Sequence, residues 1–120
     1  MKIFVTTQFE GIHRWKNAPT EVAFLRDYHR HIFHVRFEVV VTKEDREIEF
    51  ILLKRELKRT TDLHFVGRQM DESCESIAKK IVDFMTRKGH ICEGRAVCCE
   101  VSEDGENGAT VAITEEGQFV

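Results

Sequence analysis

At 120 residues the chain has the length of one domain, and 42% hydrophobic with 32% charged residues allow a buried core under a densely charged surface, which excludes disorder over its whole length. Eighteen basic against twenty-one acidic side chains leave a formal charge of -3, so composition gives no electrostatic reason to expect nucleic acid as a partner. No run of about 18 apolar residues is present to cross a bilayer, and Met1–Thr7 is too short an apolar run for a signal peptide. The expectation is a cytoplasmic protein, one domain over residues 1–120, with no membrane partner.

Residues 2–13 read as a strand, with Ile3, Val5, Thr7, Phe9, Gly11 and His13 on the more apolar face. Residues 14–28 lack sustained periodicity and form a long loop with a short helical turn around 20–26, a length usually found in functional or disordered segments. From His29 to about Thr42 the alternation is very clear. His29, His31, Phe33, Val35, Phe37, Val39 and Val41 share one face of this second strand.

A charged turn, Lys43–Arg46, leads to Phe50, Leu53 and Leu57, whose spacings of three and four predict a helix over about 49–60. A second helix begins near Asp71 or Ser73, either of which could cap it, and runs to Gly89. Residues 90–102 and 109–115 return to strand character around the Asp104–Gly105 and Asn107–Gly108 turn signals. The four cysteines, Cys74, Cys92, Cys98 and Cys99, have no disulfide or zinc-ribbon spacing and read as small buried residues.

His29 and His31 project from one face of their strand, and an antiparallel hairpin sets His13 beside them. Three neutral imidazoles suit Zn²⁺, and three protein ligands leave a fourth position for water or substrate, the pattern of catalytic zinc. His34 faces the other way, and His90 follows a helix end.

Phe9-x-x-x-His13, His29-x-His31 and Ile48-Glu49-Phe50-x-x-Leu53-Lys54 resemble, in order, the F-x-A-x-H, H-G-H and I-D-F-x-x-L-K signatures of the 6-pyruvoyltetrahydropterin synthase and 6-carboxytetrahydropterin synthase family. Ser73–Ala78 is similar to that family's P-T-x-E-N-I-A helix start, and Val97–Ser102 to its V-x-x-E-T strand end. The resemblance implies an α+β tunnelling fold: a four-stranded antiparallel sheet with two helices (ββααββ), subunits pairing edge to edge into an oligomeric barrel. The expected homo-oligomer is trimer-based, a hexamer of two rings, which would cover the open sheet edges.

The same resemblance implies zinc on His13, His29 and His31, and a pocket between subunits for a pterin or purine-like heterocycle. Glu100 maps to the carboxylate that anchors the heterocycle through its amino and ring N–H groups, and Glu75 lies in the matching helix start. Two positions depart from the family. Arg30 replaces the glycine of H-G-H, and Ala23, Phe24 and Leu25 stand where the catalytic thiol belongs. The proton-relaying Asp-His pair corresponds to Asp62 and His64 with one residue interposed; His64 is either the acid–base group or a loop histidine without a role. Asp27 and Glu21, in the loop before the zinc strand, are candidates to replace the thiol as base.

The function implied is a zinc-dependent lyase acting on 7,8-dihydroneopterin triphosphate or a relative, of the 6-carboxytetrahydropterin synthase type on the route to deazapurines. The alternative is a zinc-bearing pterin- or purine-binding module that lost the thiol and its chemistry. A cupin-like His-x-His protein is a third reading, but the Gly-rich spacing is missing and two mid-chain helices fit it badly.

Overall fold

The computed structural model describes residues 1–120 and has an α+β architecture. Its elements are β1 (Lys2–His13), β2 (His29–Val40), α1 (Phe50–His64), β3 (Gln69–Met70), α2 (Cys74–Thr86), β4 (Val97–Glu103) and β5 (Asn107–Ile113), with a 3₁₀ segment over Thr20–Arg26. The sheet has the order β3-β1-β2-β4-β5. Its four longer strands are antiparallel neighbours, as expected, but the sheet is mixed and five-stranded rather than four-stranded. The fifth strand, β3, pairs parallel with Ile12 and His13 of β1 and is two residues long, too short to leave a periodic trace in the sequence. No helix is long and apolar enough to cross a membrane.

Two twelve-residue strands at about 3.4 Å per residue account for most of the 50 Å long axis. Along them Val5, Phe9, Phe33, Val35, Phe37 and Val39 face inward, and α1 and α2 lay Leu53, Leu57, Ile77, Ile81 and Met85 against that face. Each such side chain contributes about 1.5–3 kcal/mol by leaving water. The helices start where capping groups occur. The Glu49 carboxylate accepts from the Ile51 and Leu52 amides, and Ser73 Oγ, of the two expected caps, accepts from the Ser76 amide.

α1 runs four residues beyond its expected end because Thr60 and Thr61, which donate to the carbonyls of Glu56 and Lys58, are buried against the rest of the fold. α2 instead stops at Thr86, short of Gly89, where Arg87 turns extended. The stretch 87–96 is a loop rather than the start of β4, and Cys92 is buried within it. Cys74 and Cys99 are also buried, while Cys98 is partly exposed on the other sheet face.

The loop after β2 is fastened by Glu47, which accepts from Thr42 and pairs with Arg95. The Arg95 guanidinium, with Thr42, holds the Glu47 carboxyl down to about 2, from an ordinary value of 4.5. A carboxyl lowered on folding stabilises the native state above its unfolded value, and that contribution is lost as pH falls through the folded one. Arg95→Ala should therefore lose less stability than the native chain between pH 6 and pH 3. Urea midpoints at the two pH values measure the difference, and equal acid sensitivity would assign the effect to other groups.

Candidate metal centre

His13 closes β1 and His29 opens β2, and the register sets them opposite each other, with His31 opposite Gly11. The glycine is required by packing: a Cβ there would meet the Phe33 ring at 2.7 Å. Phe33 consequently lies across β1 and presents its ring to His13 and His31, with centroid separations of 5.1 and 5.9 Å. The three imidazoles stand edge to face, their centroids 4.6 to 5.2 Å apart. One nitrogen from each can be chosen so that all lie within 4.8 Å of one another.

Each ring is oriented through Nδ1. His13 Nδ1 donates to the Glu72 carbonyl at 2.7 Å, His29 Nδ1 to the Asp27 carbonyl at 2.8 Å, and His31 Nδ1 to Asp104 Oδ2 at 2.7 Å. These acceptors have no proton to give, so Nδ1 carries the hydrogen and Nε2 is left with a lone pair, the arrangement in which histidine binds metals. Asp104 sits in the left-handed region (φ 55°) and its Oδ1 also accepts from the Ile32 amide. Those two bonds, the Ile32 amide's first, hold its carboxyl below the usual range. Glu72 is in turn fixed at the entry to α2 by Ser76 and Lys80.

His13 Nε2 is buried and has no hydrogen-bond partner. Burial outweighs its bond to the Glu72 carbonyl and pushes its pKa down, which favours the neutral ring. The groups facing it are the carboxylate of Glu103, whose Oε1 lies at 3.3 Å, and the other two imidazoles. Glu103 Oε2 is likewise 3.5 Å from His31 Nε2. The buried, unpartnered His13 Nε2 thus faces a carboxylate and two further imidazoles, an arrangement that a cation would stabilise. The three histidines could hold a metal ion.

Neither protein-family models nor curated proteins provide a match to this chain. The chemistry of the site therefore rests on its geometry.

His13 and His29 open onto a cavity of about 520 Å³. Asp71, Glu72, Glu75 and Glu103 give it an acidic wall. Its cation, Arg14, is tied to Asp71 at 2.7 Å and lies over the Tyr28 ring. Leu25, one of the residues where the family resemblance calls for a thiol, lines this cavity. A thiol does border it, but from α2: burial pushes Cys74 up to about 12, so at neutral pH it is a donor and not a thiolate.

Of the other residues singled out in the sequence, Glu75 lines the cavity. Asp27 contributes its backbone carbonyl, and Glu21 is exposed on the 3₁₀ segment. Glu100 lies on the opposite face of the sheet, in a groove with His34, Lys54 and Lys58, and within one chain does not share the histidine cavity. Asp62 is exposed and pairs with Lys58 at 3.0 Å. His64 stacks flat on Phe84, 3.9 Å between centroids, in an adjoining depression that shares Asp71 and Glu72 with the cavity. His90 is bound to Glu56 at 2.6 Å, away from the cluster.

Glu103, Asp104 and Glu72 are the site groups that the sequence reading did not pick out. Glu103 had a signal: it continues the inward series Val97, Cys99, Val101 of β4, and a carboxylate on a core-facing position needs a partner.

Proposed function

We propose that this protein is a zinc-dependent enzyme of the pterin synthase type, acting on 7,8-dihydroneopterin triphosphate or a related heterocycle, with His13, His29 and His31 as metal ligands. The observation that carries the reading is the convergence of three imidazoles, each with Nδ1 committed to an acceptor, two of which, His13 and His29, line a ligand-sized cavity. Zinc suits an all-imidazole donor set, and when bound it polarises substrate oxygens. Glu75 offers a carboxylate to the amino and ring N–H groups of a pterin.

The order of the long strands and helices is compatible with the tunnelling fold, and the free edge of β1 over most of its length, with that of β5, suits edge-to-edge assembly into a trimer-based barrel. In such a barrel His64 and Asp62 serve a cavity shared with a neighbouring chain, and Glu100, on the opposite sheet face, lines the other side of the barrel wall. Asp27 is the candidate base nearest in sequence to the metal strand.

A second reading, a zinc-bearing pterin- or purine-binding module, is favoured by the missing thiol at residues 23–25 and by the high pKa of Cys74. One experiment separates them. Zinc-loaded protein is given 7,8-dihydroneopterin triphosphate, with turnover followed by chromatography and binding by calorimetry. Turnover supports the enzyme, binding without turnover supports the module, and absence of both overturns the pterin reading.

A further inference from the structure

We infer that Glu103 is a fourth protein ligand of the metal, making the centre a three-histidine, one-carboxylate site. The inference rests on the metal reading of the histidine cluster and goes beyond it. Two donor atoms bound to one tetrahedral zinc, each about 2.0–2.1 Å from it, stand about 3.3–3.4 Å apart. The two Glu103 oxygens lie 3.3 Å from His13 Nε2 and 3.5 Å from His31 Nε2. A direct charge-assisted hydrogen bond is shorter, about 2.7–2.9 Å. Both separations are longer than a bonded pair and close to the spacing of neighbours around a shared ion, which Glu103 would share first with His13 and His31.

Hydrogen bonding points the same way. The Nδ1 hydrogens of His13 and His31 are taken by the Glu72 carbonyl and by Asp104, and His13 Nε2, which faces Glu103, is buried without a hydrogen-bond partner. A carboxylate aimed at two nitrogen lone pairs is repelled unless a cation lies among them. Position on the strand supports this role too. Glu103 ends β4 opposite Phe33, the ring that packs on both histidines, and the next residue, Asp104, orients His31. One strand end thus supplies both a ligand and the group that orients another ligand.

Charge also fits. Three neutral imidazoles leave a divalent ion fully charged, and one carboxylate halves that charge at a partly buried site. The position that a three-histidine set leaves open is then taken by Glu103 in the resting protein. A substrate must displace the carboxylate or raise the coordination number to reach the metal.

Co²⁺, whose visible bands report coordination, and Zn²⁺, measured by competition with a chelator, are titrated into the metal-free native chain, Glu103→Gln and the turn control Glu106→Gln. Glu103→Gln should bind Zn²⁺ at least about tenfold more weakly, equivalent to about 1.4 kcal/mol. Its Co²⁺ bands should shift in position and intensity, while Glu106→Gln keeps native affinity and spectrum. Native affinity and native bands in Glu103→Gln would overturn the assignment.

If Glu103→Gln fails to fold, as circular dichroism would reveal, Glu103→Asp decides. It keeps the charge but withdraws the carboxylate by one methylene, so shifted bands support ligation, and weaker binding with unshifted bands reduces Glu103 to a distant electrostatic influence and overturns it. Failure of the native chain to bind either metal would remove the histidine reading itself, a result distinct from loss of the Glu103 contribution alone.

Discussion

His29→Ala is expected to bind zinc far more weakly than the native chain, by more than the roughly 10–100-fold that removing a hydrogen-bond partner of a ligand costs. His34→Ala, on the opposite sheet face, should keep one zinc per chain. The loss is steep because His29 is one of three convergent imidazoles, and the remaining pair cannot close the same coordination shell. Binding also feeds into stability. An ion at a hundredfold excess over its dissociation constant stabilises the folded state by about 2.7 kcal/mol, so added zinc should raise the melting temperature of the native chain and of His34→Ala but not of His29→Ala. Elemental analysis after dialysis gives the stoichiometry. Equal zinc content in the two variants would remove His29 from the ligand set.

Phe33→Ala should be the most damaging single truncation near the site. Phe33 is fully buried, stacks on Phe9 at 5.2 Å and walls both His13 and His31. Removing a buried phenyl ring costs about 3–5 kcal/mol, against about 5–15 kcal/mol that holds a typical domain together. A fall in melting temperature on the order of 10–20 °C follows. Zinc affinity should fall with it, because Gly11 leaves the space beside His31 to the missing ring. Phe33→Leu, which fills part of the cavity, should recover some of both quantities. If Phe33→Ala melts like the native chain, the packing described for β1 and β2 is wrong.

Much of the fold was legible because its signals are periodic. β1 carries the expected bounds and β2 starts where expected, and the helical turn expected around 20–26 is the 3₁₀ segment. The losses came where periodicity is silent. β3 is held by two residues beside β1, and Cys92 is buried in a loop that alternation alone would extend as strand. At the site, shared strand faces brought out His13, His29 and His31, while two of the three groups that orient them are the backbone carbonyls of Glu72 and Asp27, which no side-chain pattern records. Glu103 was available from the parity of β4, yet Glu100 drew attention through the family resemblance and lies on the opposite face.

The three acceptors that orient the imidazoles come from separate parts of the chain: Asp27 from the loop before β2, Glu72 from the entry to α2, and Asp104 from the turn after β4. An unfinished chain ending before β4 would own all three histidines, but the His31 ring would be free to turn and present either nitrogen. Selective loading must therefore wait until the last strands are in place. With a metal at this cluster, metallation would report that folding is complete, and a nascent or truncated copy would compete poorly for scarce metal even though all three histidines had been synthesised.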